Sequence, residues 1–294
     1  MIERSIFANI NRDADGTTTA SYGHYTLQSA LQPILRETSG GRLELEAVEG
    51  LVRASCEGTL VPPADFFALV PEEDRPMVDS LCRSLHILNV GQLARKDVTL
   101  LVNSQPGLYL SPHAIRQEVD RMRLAAHEAG MTPARIACEI REWPGDDPDT
   151  LAQFARQLHE ANFLVAIDEY AATEEDIARL ARLSPDLLKF DPIWVKRFAE
   201  GSAGTGLMRV MVARLERDGV RPIVTNIEEP WQAEFCREIG MPLMQGYLLA
   251  RPQVAPTSFE LDFPEEQAAP PAPGHAAHEA RAYRTTPRFG RRTV

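Results

Sequence analysis

Short apolar runs that each stop at a polar side chain recur along this chain, separated by longer segments of helical period, and that alternation limits the folds open to it. Residues 26–35, 42–53, 98–103, 134–140, 164–168, 187–190, 221–225 and 243–248 read as strands, being β-branched or apolar and bounded by turn residues. Helical patterns fill 74–95, 113–129, 149–161, 174–183, 204–218 and 230–239. The RETSGGR stretch between the first two strands is too short for a crossover helix, which predicts that they pair antiparallel. Eight strands alternating with helices favour a closed α/β barrel over an open doubly wound sheet, although periodicity alone allows both.

The polar strand ends decide in favour of the barrel. Asn103 follows VTLLV, Glu139 follows RIAC, Asp168 follows LVAI, Lys189 follows LL and Asn226 follows PIVT. In a parallel barrel the C-terminal strand ends converge on one mouth, so these groups face a shared site. Glu49, Asn103, Glu139 and Asp168, from four strands, supply the oxygen donors that a hard divalent cation requires. Taken singly, each residue has a plainer reading. A lone glutamate is ordinarily a surface or ion-paired carboxylate, Asn103 can cap a turn, and Arg53 or Lys189 can simply pair with Asp191 or Glu139. The joint pattern is what points to a site.

Composition narrows the partners. A net charge of −11 argues against a DNA, RNA or membrane-surface binder, which needs a broad basic field, but leaves room for a small anion in a locally positive pocket. Cys56, Cys82, Cys138 and Cys236 form no CxxC pair, so reduced thiols in a cytoplasmic protein are the expectation. No run approaches the ~20 apolar residues that span a bilayer. Residues 1–20 read as a flexible leader and 21–255 as the barrel domain, ending near Pro252 to Thr257. Residues 256–294 read as a disordered tail, Pro/Ala-rich and then Arg-rich, whose arginines Arg281, Arg284, Arg288, Arg291 and Arg292 are either solvated or dock on an acidic surface.

Short strings in a fixed order carry a family resemblance. LQPIL (31–35), Glu49-Gly50-Leu51 followed by Arg53, VNSQ (102–105), CEI (138–140), IDE (167–169), LLKFD (187–191) and QGYLLARP (245–252) resemble the motifs of the EAL family. Its members adopt a modified TIM (βα)8-like barrel with an antiparallel first strand and cleave cyclic di-GMP with two metal ions. The resemblance implies that Glu49, Asn103, Glu139, Asp168 and Glu169 are metal positions for Mg²⁺ or Mn²⁺. It implies further that Gln32, Leu51, Arg53 and Gln245 contact the dinucleotide, Arg53 through a phosphate, and that Lys189 sits near the scissile phosphate.

The chain also departs from that pattern. Where the family has DDFGTG, this chain has Asp168-Glu169-Tyr170-Ala171-Ala172-Thr173. Glu169 reaches further than aspartate and disturbs a near-ideal Mg²⁺ shell, and without glycines the loop backbone is not expected to adopt positive φ freely. Second-metal binding and a homodimer formed through this loop are both expected to weaken. Asn226 stands where the family's general-base glutamate is expected, and an amide has no basic site near neutral pH. Glu229 matches the motif's second glutamate. Arg141, two residues past Glu139, either neutralises the carboxylates and competes with a metal or points into solvent. These features together predict a degenerate member acting as a cyclic di-GMP receptor or regulatory protein-interaction module, with a slow phosphodiesterase yielding the linear dinucleotide as the alternative.

Overall fold

The computed structural model describes residues 6–264 except Pro144 and Glu200, so the Arg-rich and Pro/Ala-rich tail beyond Pro264 lies outside the described residues. In chain order the elements are β1 (Ile10–Arg12), β2 (Thr18–Tyr22), β3 (Tyr25–Glu37), β4 (Leu43–Cys56), β5 (Thr59–Val61), α1 (Pro63–Leu69) and α2 (Arg75–Val90). There follow β6 (Thr99–Ser104), α3 (Pro112–Glu128), β7 (Ile136–Ile140), α4 (Pro148–Glu160), β8 (Leu164–Tyr170), α5 (Glu174–Leu183), β9 (Leu187–Phe190), α6 (Pro192–Ala199) and α7 (Ser202–Arg217). The chain continues through β10 (Arg221–Val224), α8 (Pro230–Ile239), β11 (Leu243–Met244), β12 (Gln253–Val254) and α9 (Phe259–Asp262).

Eight of these strands close a mixed barrel in the order β3, β4, β6, β7, β8, β9, β10, β11 and back to β3. The strand β3 runs antiparallel to both its neighbours, as the short β3–β4 connection predicts, and the others pair parallel. Helices start where the sequence provides caps. Ser111 Oγ accepts the Ala114 N–H at 3.1 Å and Asp147 Oδ2 accepts the Thr150 N–H at 3.1 Å, with a proline in the first turn in each case. On α4 the stripe Leu151, Phe154, Ala155 and Leu158 faces the barrel, at the helical spacing that lets one face be buried.

The barrel interior is an apolar plug to which each strand gives one buried side chain: Ile34, Ala47, Leu101, Ala137, Ala166, Leu187, Ile223 and Leu243. Burying side chains of leucine or isoleucine size is worth roughly 1.5–3 kcal/mol each, so the plug both stabilises the barrel and fixes which face of each strand points inward.

Three expectations need correction. Residues 10–12 and 18–22 are not a flexible leader: β2 pairs with β3 and β1 pairs with β2. Asn89 of α2 holds this polar segment by accepting the Thr18 N–H at 2.8 Å and donating to the Thr18 carbonyl at 2.9 Å, as a neighbouring strand would. The folded unit does not end at residue 255 either. It runs to Pro264, with Phe259 of α9 buried. The last barrel strand stops at Met244 rather than 248, because Gly246 packs on the backbone of Ile227 so closely that a Cβ would lie 2.1–2.5 Å from it.

Candidate functional site

Side chains alternate faces along a strand, so the residue two beyond each member of the plug points the same way, one layer nearer the mouth. Two positions past Ala47, Leu101, Ala137, Ala166, Leu187 and Leu243 stand Glu49, Asn103, Glu139, Asp168, Lys189 and Gln245. On antiparallel β3 the count runs backwards from Ile34 to Gln32, whose Cα pairs with that of Glu49. The site is therefore the polar layer directly above the plug. Along β4, Glu49, Leu51 and Arg53 are each part-exposed while the alternating Gly50, Val52 and Ala54 are buried, which sets Glu49, Leu51 and Arg53 on the mouth-facing side.

Lys189 is the hub of the layer. Its Nζ lies 2.9 Å from Glu49 Oε2 and 2.5 Å from Glu139 Oε2, with the ammonium only 3% exposed. Gln245 Nε2 donates to Glu49 Oε2 at 2.8 Å. Burial works to raise the Glu49 pKa, but Lys189, Gln245 and Asn103 together hold it below the usual carboxylate range. At Glu139 burial wins. With Glu49 and Asp168 adding repulsion against the pull of Lys189, its carboxyl is pushed up to about 8. Burial opposes the charge on Lys189, yet Glu139, Glu49 and Asp168 outweigh it and the ammonium holds its proton well above the ordinary lysine range.

The types of donor suit one hard cation, but their arrangement does not. Lys189 already sits between the two glutamates, and among the described residues no three Asp, Glu, His or Cys side chains are spaced to hold a metal ion. Glu169 stands apart from the layer. It is exposed, and its Oε1 lies 3.7 Å from Arg141 Nη2, so Arg141 is both half-exposed and paired with a carboxylate.

Loop backbone resolves two further expectations. Glu169 and Ala172 adopt φ of +56° and +54° without any glycine, contrary to the sequence reading. The segment is held by Asp176, whose Oδ2 accepts the Ala171 N–H at 2.9 Å and the Thr173 N–H at 3.2 Å, while Thr173 Oγ1 accepts the Asp176 N–H at 3.1 Å. Arg179 adds a bond to the Asp168 carbonyl at 2.7 Å. A Thr-x-x-Asp capping box is legible in the sequence as the keeper of this loop. On β10 the place two beyond Ile223 belongs to Thr225. Asn226 comes one residue past it, after the strand has ended, exposed and at φ +56°. Glu229 is exposed at the start of α8, its N–H held by Gln232 Oε1 at 2.8 Å.

Sequence reasoning missed the support beneath Asn103. Arg83 on α2, 1% exposed, donates to the Asn103 carbonyl at 3.3 Å and to Glu118 Oε1 at 2.5 Å, and also bonds Asp79 and Tyr109. An arginine within a helical run ordinarily reads as surface, and only its apolar flanks Leu81, Cys82 and Leu85 signal burial. Arg53, by contrast, donates from Nη1 to the Val52 carbonyl at 3.0 Å.

The profile of a known family, described as the EAL domain, matches residues 21–252. The chain is 24% identical over 229 residues to the probable cyclic di-GMP phosphodiesterase PdeA of Escherichia coli, covering 76% of this chain and 30% of that protein. It is 25% identical over 237 residues to the cyclic di-GMP phosphodiesterase NbdA of Pseudomonas aeruginosa, covering 77% and 29%. It thus spans about 30% of the length of these curated relatives. Among solved structures, the Klebsiella pneumoniae BlrP1 complex with manganese and cyclic di-GMP aligns with a TM-score of 0.65 at 25% identity over 78% of this chain and 56% of that one. The Xanthomonas citri FimX EAL domain, solved with cyclic di-GMP, aligns with a TM-score of 0.65 at 20% identity over 77% and 88%, a likeness of fold.

Proposed function

The chain belongs to the EAL domain family, and from that premise we propose that it is a degenerate member, binding cyclic di-GMP as a receptor or regulatory protein-interaction module without turning it over. One observation carries this reading. The residue in the general-base place, Asn226, is an exposed amide at φ +56° beyond the end of β10. Losing a positioned base costs about 10²- to 10⁴-fold in rate. The binding half of the layer is present: Gln32, Leu51, Arg53 and Gln245 contact the dinucleotide, with Arg53 and Lys189 answering its phosphates. A cytoplasmic location belongs to the same reading, supported by four unpaired cysteines and by the lack, among the described residues, of any helix long and apolar enough to cross a membrane.

Calorimetric titration of cyclic di-GMP into the full chain, in Mg²⁺ and again in EDTA, tests it. Saturable binding in both, with intact nucleotide recovered by chromatography, is the expected result, and absence of binding in both removes the receptor. A second reading, a slow metal-dependent phosphodiesterase, is favoured by the donor types of Glu49, Asn103, Glu139 and Asp168 and requires Lys189 to leave its place between the two glutamates. Linear dinucleotide formed in Mn²⁺ and abolished by Glu49→Ala would establish that reading instead.

A further inference from the structure

The segment after β7 carries Arg141 and Trp143 to the rim of the mouth. The Arg141 N–H is anchored on the carbonyl of Ser104, the residue after Asn103, at 3.1 Å, and the guanidinium reaches Glu169, the residue after Asp168. That guanidinium lies over the Trp143 ring, 5.9 Å from its centroid, while the side chain of Trp143 remains 48% exposed. The loop is held in place around it. Trp143 N–H donates to Asp146 Oδ2 at 2.8 Å, the Trp143 carbonyl accepts the Asp146 N–H at 3.0 Å, and Glu142 pairs with Arg182 at 3.1 Å. A large aromatic ring left half in water beside a polar mouth, with a cation against it, is a surface on which a planar group can stack.

Its place on the barrel adds a second observation. Around the eight strands β7 and β11 are four steps apart in either direction, and so lie across the mouth from one another. After β11 the chain sets a second such pair on the rim, Tyr247, 49% exposed, with the Arg251 guanidinium 4.8 Å from its ring centroid. Trp143 follows Glu139 by four residues, hence within about 14 Å of it along an extended chain. A ligand that puts phosphate over Lys189 and carries one planar base on each side spans such an arrangement.

We infer that Trp143, backed by Arg141, is a stacking platform for one purine base of the cyclic dinucleotide, a specificity element built on the rim of this chain. The inference rests on the reading that cyclic di-GMP occupies the mouth. Stacking onto a ring face is indifferent to the metal, so the contribution of Trp143 is the same in Mg²⁺ and in EDTA. Arg141 serves it by fixing the ring and by offsetting the charge of Glu169 next to an anionic ligand.

Titration of cyclic di-GMP into the wild-type chain, Trp143→Leu and Trp143→Phe separates the two ideas. Base stacking on an aromatic side chain predicts that Trp143→Leu weakens binding roughly tenfold or more and that Trp143→Phe retains most of the affinity. A companion protein with Trp194→Phe and Trp231→Phe leaves Trp143 as its single tryptophan, whose fluorescence is expected to be quenched as nucleotide is added. If the wild type binds and Trp143→Leu binds within twofold of it, with no change in that fluorescence, the platform is refuted while the receptor reading stands. If the wild type itself does not bind, the receptor reading fails and the platform with it.

Discussion

The mouth of the barrel carries two unlike groups of residues, interleaved around the ring of strands. In one, Glu49, Glu139, Lys189 and Gln245 are buried or nearly so and each is held by at least one other member. In the other, Glu169, Ala172 and Asn226 lie on strand ends and loops, more exposed, all three with left-handed backbone. The contrast is one of cost. A charge taken out of water is tolerable only while its partners stay, so no member of the first group can change without stranding another. An exposed loop residue strands nothing when it changes. On the proposed reading, departure from the family pattern is concentrated where it leaves the fold intact, at Glu169 and Asn226.

The most severe challenge to this contrast is Lys189→Met, which leaves Glu49 and Glu139 facing each other without a cation. Breaking a buried ion pair from one side typically costs about 3–5 kcal/mol, and urea denaturation of the variant should show a loss of that order. A loss below about 1 kcal/mol would mean that the carboxylates relax into water and that the buried group is not mutually held. Added Mn²⁺ sharpens the result: recovery of stability in the variant alone would show that Lys189 stands in a cation's place.

Next in size is a pH effect confined to the same group. The Glu139 carboxyl is pushed up to about 8 from an unfolded value near 4.5, so between those values the folded chain keeps a proton that the unfolded chain has released. Stability contributed by this group is complete below about pH 4.5 and is lost as the pH rises through about 8. Glu49, held low, acts in the opposite sense and loses its contribution as the medium is acidified below the ordinary carboxylate value. Glu139→Gln should flatten the melting temperature between pH 5 and 8 while leaving the acid limb set by Glu49. A wild-type slope that survives the substitution would assign it to other groups.

A smaller effect is expected beneath the layer. Gly50, beside Glu49 on β4, abuts His86 of α2 so closely that a Cβ would lie 2.7–2.9 Å from the His86 ring and its Cβ. His86 has little room to yield, being buried with Nδ1 2.8 Å from Ser29 Oγ. Gly50→Ala should therefore cost about 1–3 kcal/mol, the range for overpacking a filled site, measurable by the same urea titration.

How much of this was legible before folding follows the same division. The eight barrel strands announce themselves because a doubly buried strand must be apolar until it reaches the mouth, and Asn103, Glu139, Asp168 and Lys189 stand at those transitions. The convergence of the layer was legible too, since a period of two fixes which residue follows the plug. Elements held by polar contacts were not. The β1–β2 hairpin is anchored through Asn89, and Arg83 is buried only because Glu118 and Tyr109 arrive from elsewhere in the chain to join Asp79, one turn back on the same helix. Of the bonds that hold the left-handed turns at Glu169 and Ala172, the Thr173-x-x-Asp176 spacing shows in the sequence, whereas the reach of Arg179 to the Asp168 carbonyl does not.

The smallest effect, and the one that tests the exposed group directly, is Ala172→Gly. Left-handed backbone at a residue with a Cβ costs about 1–2 kcal/mol, whereas glycine gives back roughly 0.5–1 kcal/mol in unfolded-state entropy. The balance at φ +54° is a gain between zero and about 1.5 kcal/mol, seen as a slightly raised urea midpoint with cyclic di-GMP affinity unchanged. A substitution that stabilises is the opposite of what any change to Lys189 should do. Should Ala172→Gly instead destabilise by more than about 0.5 kcal/mol, the Ala172 methyl must be packing against something the turn depends on. The rim would then be as interlocked as the buried layer.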